Sequence, residues 1–260
     1  LIEQHWQTNL KHYRNINFDF EAQSFAQLKD SANGRAAICV GAGPSLDNNI
    51  HLLKNLDPNK FCIISVITII PSFIKLGIEP DYIQLSEETE NVCMAMDGHN
   101  FKNTSLIRTS TANPSEPENW TGESFFFNNM TSKIAFRAKQ AKFPNIPNLD
   151  PISHNGGFHC IEFAVYMGFE NICFVGLDLC LTGKRHHAKG IDYKMFGTDL
   201  DNNPKKWLAM ENSYKSSLNL VKTYAAKRKH KKIINCSQGG AITEFPMMDL
   251  SAWIEAIHEG

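Results

Sequence analysis

Three apolar runs of strand length, Ala36-Ala37-Ile38-Cys39-Val40, Phe61-Cys62-Ile63-Ile64-Ser65-Val66 and Tyr82-Ile83-Gln84-Leu85, each lead through a turn into residues with helical spacing. This alternation constrains the fold more than any other feature. Strands that are apolar on both faces must be covered on both faces, and a helix that returns the chain to a parallel neighbour supplies the cover. The same texture continues downstream. The spacing predicts a helix from about Glu87 to Met96, strands near Ser105 to Arg108 and Ser124 to Phe127, and a helix from Gly156 to about Met167. A strand at Asn171 to Gly176, a long helix from about Lys205 to Lys227, a strand at Lys232 to Cys236 and a closing helix from about Asp249 to His258 follow. Ala112 to Gly122, with two prolines, reads as a surface excursion, and Lys184 to Pro204 as an irregular loop or lid. The expected class is α/β, with a mostly parallel sheet and helices on both faces.

Ahead of this body, Leu1 to about Arg14 is polar with Trp6, Leu10 and Tyr13 at helix-compatible spacing. Phe18, Phe20 and Phe25 precede a second amphipathic stretch that ends near Asn33-Gly34. The division expected is a helical N-terminal extension over 1–34 and one domain over 35–260. A chain of 260 residues is long enough for a substantial core. Its 26 Lys+Arg against 27 Asp+Glu create no global basic field, which disfavours nucleic acid and anionic membrane as partners. The most apolar stretch, Phe61 to Ile70, stops at Pro71, well short of the ~20 residues that span a bilayer, so no membrane span is expected. Seven cysteines, odd in number and without a CxxC pair, fit a reducing, cytoplasmic compartment. The first residue is Leu with no signal-peptide pattern behind it, which reads as a trimmed start.

The sharpest local signal is Gly41-Ala42-Gly43-Pro44-Ser45-Leu46-Asp47, directly after the first core strand and before a helix expected to start near Leu46. A glycine turn at a helix N-terminus offers backbone N–H groups and a positive dipole end to a phosphate. In that reading Gly41 and Gly43 allow close approach, Pro44 sits where no N–H is needed, and Ser45 adds a hydroxyl. The third glycine of GxGxxG and the Walker lysine are missing, and a tight turn capped by Ser45 or Asp47 is the competing reading. A second signal is Ser153-His154-Asn155-Gly156-Gly157-Phe158-His159, a glycine pair opening an apolar helix. It either presents the N–H groups of Gly156 and Gly157 with His154 or Asn155 to a ligand at the same sheet edge, or is simply a helix entry with a semi-buried His159. The third is Gly176-Leu177-Asp178-Leu179 followed by Lys184-Arg185-His186-His187. Strand carboxyl ends face the ligand crevice in open α/β sheets, which brings Asp178 close to the first loop. Asp178 could bind metal, ribose or an acceptor hydroxyl, His186 or His187 could act as general base, and Lys184 or Arg185 could neutralise phosphate. A solvated basic loop is the alternative. The Lys227 to Lys232 basic run and the Glu87, Glu88, Glu90 cluster read as helix-terminal charges.

Five segments occur in one order: GAGPSLD (Gly41 to Asp47), LGIEPDYIQLS (Leu76 to Ser86), the pair Gly156-Gly157, GLDLCLTGKRHHAKG (Gly176 to Gly190) and NCSQGGA (Asn235 to Ala241). In this the chain resembles the MptE-like domain family, which includes bacterial motility accessory factor (Maf) flagellin glycosyltransferases and archaeal 6-hydroxymethylpterin diphosphokinases. The resemblance implies a Rossmann-like nucleotide-binding domain. On its Maf side it implies transfer of a CMP-activated nonulosonic, sialic-acid-like sugar to an acceptor hydroxyl, flagellin Ser/Thr included, with a nucleotide-sugar and a protein or glycan acceptor as partners and no cofactor required. Carried over, Gly41, Gly43 and Ser45 hold phosphate, Asp178 lines the crevice and His187 is the candidate base. Where the family usually ends a strand in Asp, this chain has Leu85-Ser86-Glu87. The alternative within the family is ATP-dependent diphosphoryl transfer, which needs Mg²⁺ held by carboxylates such as Asp178 and Asp81. A non-catalytic nucleotide-sugar-binding module is the third reading.

Overall fold

The structure, a computed structural model, describes residues 8–9, 11–12, 19, 22–86, 95–96, 98–99, 101–109, 111–115, 120–129, 146–149, 155–182, 185–189, 191, 204–228 and 231–259. Eight strands form one sheet: β1 (Ala36–Val40), β2 (Phe61–Val66), β3 (Tyr82–Leu85), β4 (Ser105–Thr109), β5 (Ser124–Asn129), β6 (Asn148–Leu149), β7 (Asn171–Val175) and β8 (Lys232–Asn235). All pairings are parallel, in the order β6-β5-β4-β3-β2-β1-β7-β8. Every residue of β1 and β2 is buried, as strands covered on both faces must be. Residues 8–9 and 11–12 are α-helical, and the helices connecting and flanking the strands are α1 (Ile70–Leu76), α2 (Gly156–Tyr166), α3 (Pro204–Lys227) and α4 (Leu250–Glu259). The fold is the α/β, Rossmann-like arrangement that the alternating pattern predicts. None of these helices is long and apolar enough to cross a membrane.

From β1 the chain builds outward to β6, then α2 returns it to lay β7 on the other side of β1. This reversal places the ends of β1 and β7 side by side, where open α/β sheets keep their ligand crevice. Helix α2 buries Phe158, Ile161, Phe163 and Ala164. Of the 1–34 extension, residues 22–34 are joined to the same core. The ring of Phe25, fully buried, lies 5.2 Å from Phe163 and 5.1 Å from Tyr166, and burial of such a side chain contributes roughly 1.5–3 kcal/mol. Ala32 N–H donates to the Met167 carbonyl at 2.9 Å, and Phe126 N–H to that of Gln23 at 2.7 Å.

One local expectation changes. The segment expected to begin a helix near Leu46 instead makes two short 3-10 turns, Pro44–Asn48 and Ile50–Leu53. Its N–H groups donate three residues back, Leu46 to Gly43, Asn49 to Leu46 and Leu52 to Asn49. The cause is tertiary: buried Asn49 sends its side-chain amide to the Cys236 carbonyl at 3.1 Å, which pins the turn to the far side of the sheet. Pro71, where the apolar run stops, sits in the first turn of α1, a position that needs no N–H. Most of the helix expected from Glu87 to Met96, with Glu87, Glu88 and Glu90, lies outside the described residues.

Candidate functional site

Beyond Val40 the chain keeps bonding to the exit of β7. Gly41 N–H donates to the Val175 carbonyl at 2.9 Å, and Gly43 N–H to that of Gly176 at 2.7 Å. The two segments lie so close that a Cβ on Gly41 would overlap the Gly176 carbonyl, and one on Gly43 would stand 2.8 Å from the same oxygen and 2.7 Å from the Asp178 carboxyl carbon. Glycine is therefore required here by chain-to-chain contact. Asp178, 3% exposed, completes the join: one carboxylate oxygen accepts the Ser45 N–H at 2.8 Å and the other the Ser45 hydroxyl.

These bonds bear on the phosphate reading of Gly41, Gly43, Pro44 and Ser45. The N–H groups of Gly41, Gly43, Ser45 and Leu46 all have protein partners, Pro44 has none to give, and the Ser45 hydroxyl is turned to Asp178. The segment is a lock between two strand exits. Asp178 is braced from behind as well: its carbonyl accepts Ala241 N–H at 2.7 Å, and Leu177 N–H donates to the Ser237 hydroxyl at 3.4 Å. Ser237 N–H in turn donates to the Asn235 side chain at 2.9 Å. Burial raises the Asp178 carboxyl above its usual range, partly offset by the two Ser45 bonds.

Segment 185–189 is laid across this lock. Arg185 pairs with Asp47 at 2.6 Å, Lys189 N–H donates to the other Asp47 oxygen at 2.7 Å, and Ala188 N–H to the Ala42 carbonyl at 2.8 Å. The charge of Arg185 is thus answered by Asp47. Lys184 and His154 lie outside the described residues.

Above the lock is a cavity of about 190 Å³. It is lined by the Gly41–Gly43 turn, Val66 to Thr68, Gln84, Asn155 to Gly157, Gly176 to Cys180, His186, His187 and Tyr214. Helix α2, 11 residues long, aims its positive end at this space. Asn155 caps it by accepting Gly157 N–H at 2.9 Å. Of the residues singled out from sequence, the structure brings Gly41, Gly43, Asn155, Gly156, Gly157, Asp178 and His187 to one cavity wall. Ser45 sits behind it on Asp178. His159 is buried in the core between Phe127 and Phe163, away from the cavity.

The imidazoles of His186 and His187 stand perpendicular, with centroids 4.2 Å apart. Burial, and secondarily the neighbouring His186, holds His187 at about 3, and burial lowers His186. Both rings are neutral at pH 7, and His187 in this form is a weak base. A testable consequence follows from its unfolded value near 6.5. Between that and about 3 the unfolded chain binds the extra proton, so stability is complete above about pH 6.5 and declines as pH falls. Urea unfolding between about pH 7 and 4 is expected to approach a slope of ~1.4 kcal/mol per pH unit, reduced in His187→Gln. An equal slope in that variant would assign the effect to other groups.

Sequence reasoning missed Gln84, Thr68, Cys180 and Tyr214. A polar residue near the end of an otherwise buried strand was a usable sign for Gln84, whose amide donates to the Ser86 hydroxyl. No comparable sign marks Tyr214, which α3 brings in from the far end of the sequence. Asp81, named with Asp178 as a Mg²⁺ carboxylate, precedes β3 at the opposite end of the sheet. There it pairs with Arg35 at 2.6 Å and accepts Ile63 N–H at 2.9 Å, so it shares no ion with Asp178.

A parallel sheet whose cavity lies at the strand-order reversal defines a Rossmann-like α/β protein. Residues 10–184 match the family described as 6-hydroxymethylpterin diphosphokinase MptE-like, and the chain belongs to this MptE-like family. Among solved structures it is similar to the Maf glycosyltransferase from Magnetospirillum magneticum AMB-1, with a TM-score of 0.58 and 17% identity. That superposition covers 92% of this chain and 42% of the other, so the chain spans less than half the length of that protein. The likeness is one of fold. No curated protein shows significant similarity to the chain.

Proposed function

We propose that the protein is a transferase that binds a CMP-activated nonulosonic sugar in this cavity and passes the sugar to an acceptor hydroxyl, with flagellin Ser/Thr as one acceptor class. The observation that carries the reading is the convergence of the α2 N-terminus, the β7 exit and a neutral histidine pair on one cavity beside the strand-order reversal. Family membership and the Maf-like fold support it. The cavity is smaller than the roughly 300–1,000 Å³ that encloses a drug-sized ligand, so it would enclose the reacting end of the donor. The acceptor oxygen attacks the anomeric carbon, the bond from that carbon to the phosphate oxygen breaks, and CMP leaves with the electron pair. The α2 N-terminus faces the developing phosphate charge. His187, as the neutral imidazole, receives the acceptor proton, and an anionic donor beside it raises its basicity toward the working range. Arg185 and Asp178 hold the cavity wall through Asp47 and Ser45.

The diphosphokinase reading has the family's description in its favour. Its Mg²⁺ does not suit these donors: both Asp178 oxygens accept from Ser45, Asp81 is at the other end of the sheet, and no group of three His, Cys, Asp or Glu ligands occurs among the described residues. The six described cysteines are free thiols, consistent with work in a reducing compartment.

Calorimetry with CMP and with ATP, each with magnesium and with chelator, tests the choice. CMP is expected to bind equally with chelator. ATP binding that appears only with magnesium would move the protein to diphosphoryl transfer. A His186→Ala/His187→Ala variant that keeps full turnover in cells would favour a binding module.

A further inference from the structure

We propose that a groove at the opposite end of the sheet from the cavity binds an extended, acidic segment of a partner polypeptide with apolar side chains between its carboxylates. The groove, about 880 Å³, lies where β1, β7 and β8 begin, between the last turn of α3 and helix α4. Ala225, Ile233, Phe245, Trp253 and Ile257 give it an apolar floor. The apolar surface continues outward through Met248, 43% exposed, to Met247, 60% exposed. Met248 adjoins the apolar floor, with Met247 next to it in the chain, and methionine adapts to varied partners.

The rim is cationic. Lys231 and Lys232 stand at it, and among the described residues neither has an ion-pair partner. Arg228 is engaged by Glu162, and Glu244 is the acidic residue in the lining. The chain as a whole has a net charge of -1, yet positions 227–232 carry Lys or Arg at every place except His230. Lys227 and Arg228 answer the negative end of α3; Lys231 and Lys232 lie beyond the helix and are not explained by it.

Backbone geometry adds the third element. Strand β8 is the last of the sheet, and its outer side is bridged at Asn235, which donates to the Pro246 carbonyl at 2.8 Å and accepts from Met248 at 3.1 Å. The outer side of Lys232 to Ile234 pairs with no strand among the described residues and borders the groove, and the Ile233 N–H there is turned onto the Lys231 carbonyl at 3.0 Å. An extended peptide laid along this edge can seat alternate side chains in the groove. The concave floor favours a polypeptide over a flat anionic membrane, which could reach the rim lysines but not Trp253.

The test uses the whole chain and a short synthetic peptide alternating Glu and Val, its Lys-Val counterpart, and vesicles of mixed phosphatidylserine and phosphatidylcholine. The Glu-Val peptide is expected to bind with an affinity that falls as salt rises, and the Lys-Val peptide not to bind. Lys231→Glu/Lys232→Glu is expected to weaken binding at least about tenfold, and Met248→Ser to weaken it severalfold. Lys102→Glu/Lys215→Glu, both exposed and outside the groove, is expected to change nothing. Thermal melts check that the variants fold, with Lys231→Ala/Lys232→Ala taking over if the charge reversal does not. Equal binding of both peptides, no binding of the acidic peptide, or peptide binding indifferent to Lys231 and Lys232 would each overturn the proposal. So would binding to vesicles alone.

Discussion

Replacing Asp178 by alanine is expected to lower unfolding free energy by roughly 2–4 kcal/mol. Hydrogen bonds to a charged acceptor are each worth about 1.5–3 kcal/mol, and the relief of desolving the carboxylate offsets part of their loss. The Ser45 N–H and hydroxyl both lose their acceptor within a buried contact, and the Gly41–Ser45 turn loses its hold on β7. Asp178→Asn is the informative companion. Its carbonyl can take the Ser45 N–H and its amide can donate to the Ser45 oxygen, so urea unfolding should show less than about 1 kcal/mol of loss. CMP affinity that survives in the Asn variant and disappears in the Ala variant would identify Asp178 as a positioning residue. Loss in both, with the Asn variant still stable, would mean that the charge itself acts on ligand. Equal destabilisation by Asn and Ala would remove the basis for the lock.

The second large effect is expected at Arg228, and the choice of partner matters. Glu162 is buried, with a side chain 4% exposed, whereas that of Arg228 is 26% exposed. The guanidinium grips the carboxylate at 3.0 and 3.2 Å through one nitrogen and 3.3 Å through another, and lies 5.4 Å from the Tyr224 ring. Arg228→Leu leaves a carboxylate inside the protein without its cation, at a cost of about 3–5 kcal/mol near neutral pH. Glu162→Leu should cost less, because the arginine left behind can turn to water. Denaturation of both variants and of Glu162→Leu/Arg228→Leu checks this, with the double variant expected to recover much of the loss. A double variant as unstable as Arg228→Leu would show that packing around Tyr224, not the stranded charge, sets the cost.

The sheet was legible because its central strands are apolar at nearly every position, a pattern that admits few other uses. β6 was not: Asn148–Leu149 is two residues long, follows Pro147 and carries no periodicity to read. The location of the cavity was legible too, since Gly41 to Asp47 and Gly176 to Asp178 both follow core strands. What the loop does with its hydrogen bonds was hidden, because its partner Asp178 lies 133 positions from Ser45 and no local rule connects them. The same holds for Arg185 with Asp47, 138 positions apart, an ion pair that no local rule announces. Glycine spacing announced a close approach but not what approaches.

The integrity of the cavity is bound up with that separation. The contact between Ser45 and Asp178 joins the exits of β1 and β7, which are neighbours in the sheet although β2 to β6 and α2 lie between them in the chain. A partly folded chain with half of its sheet complete therefore has no ligand cavity at all. The lining is drawn from both sides of β1, so whatever ligand the cavity takes reports on the joined sheet rather than on either part of it.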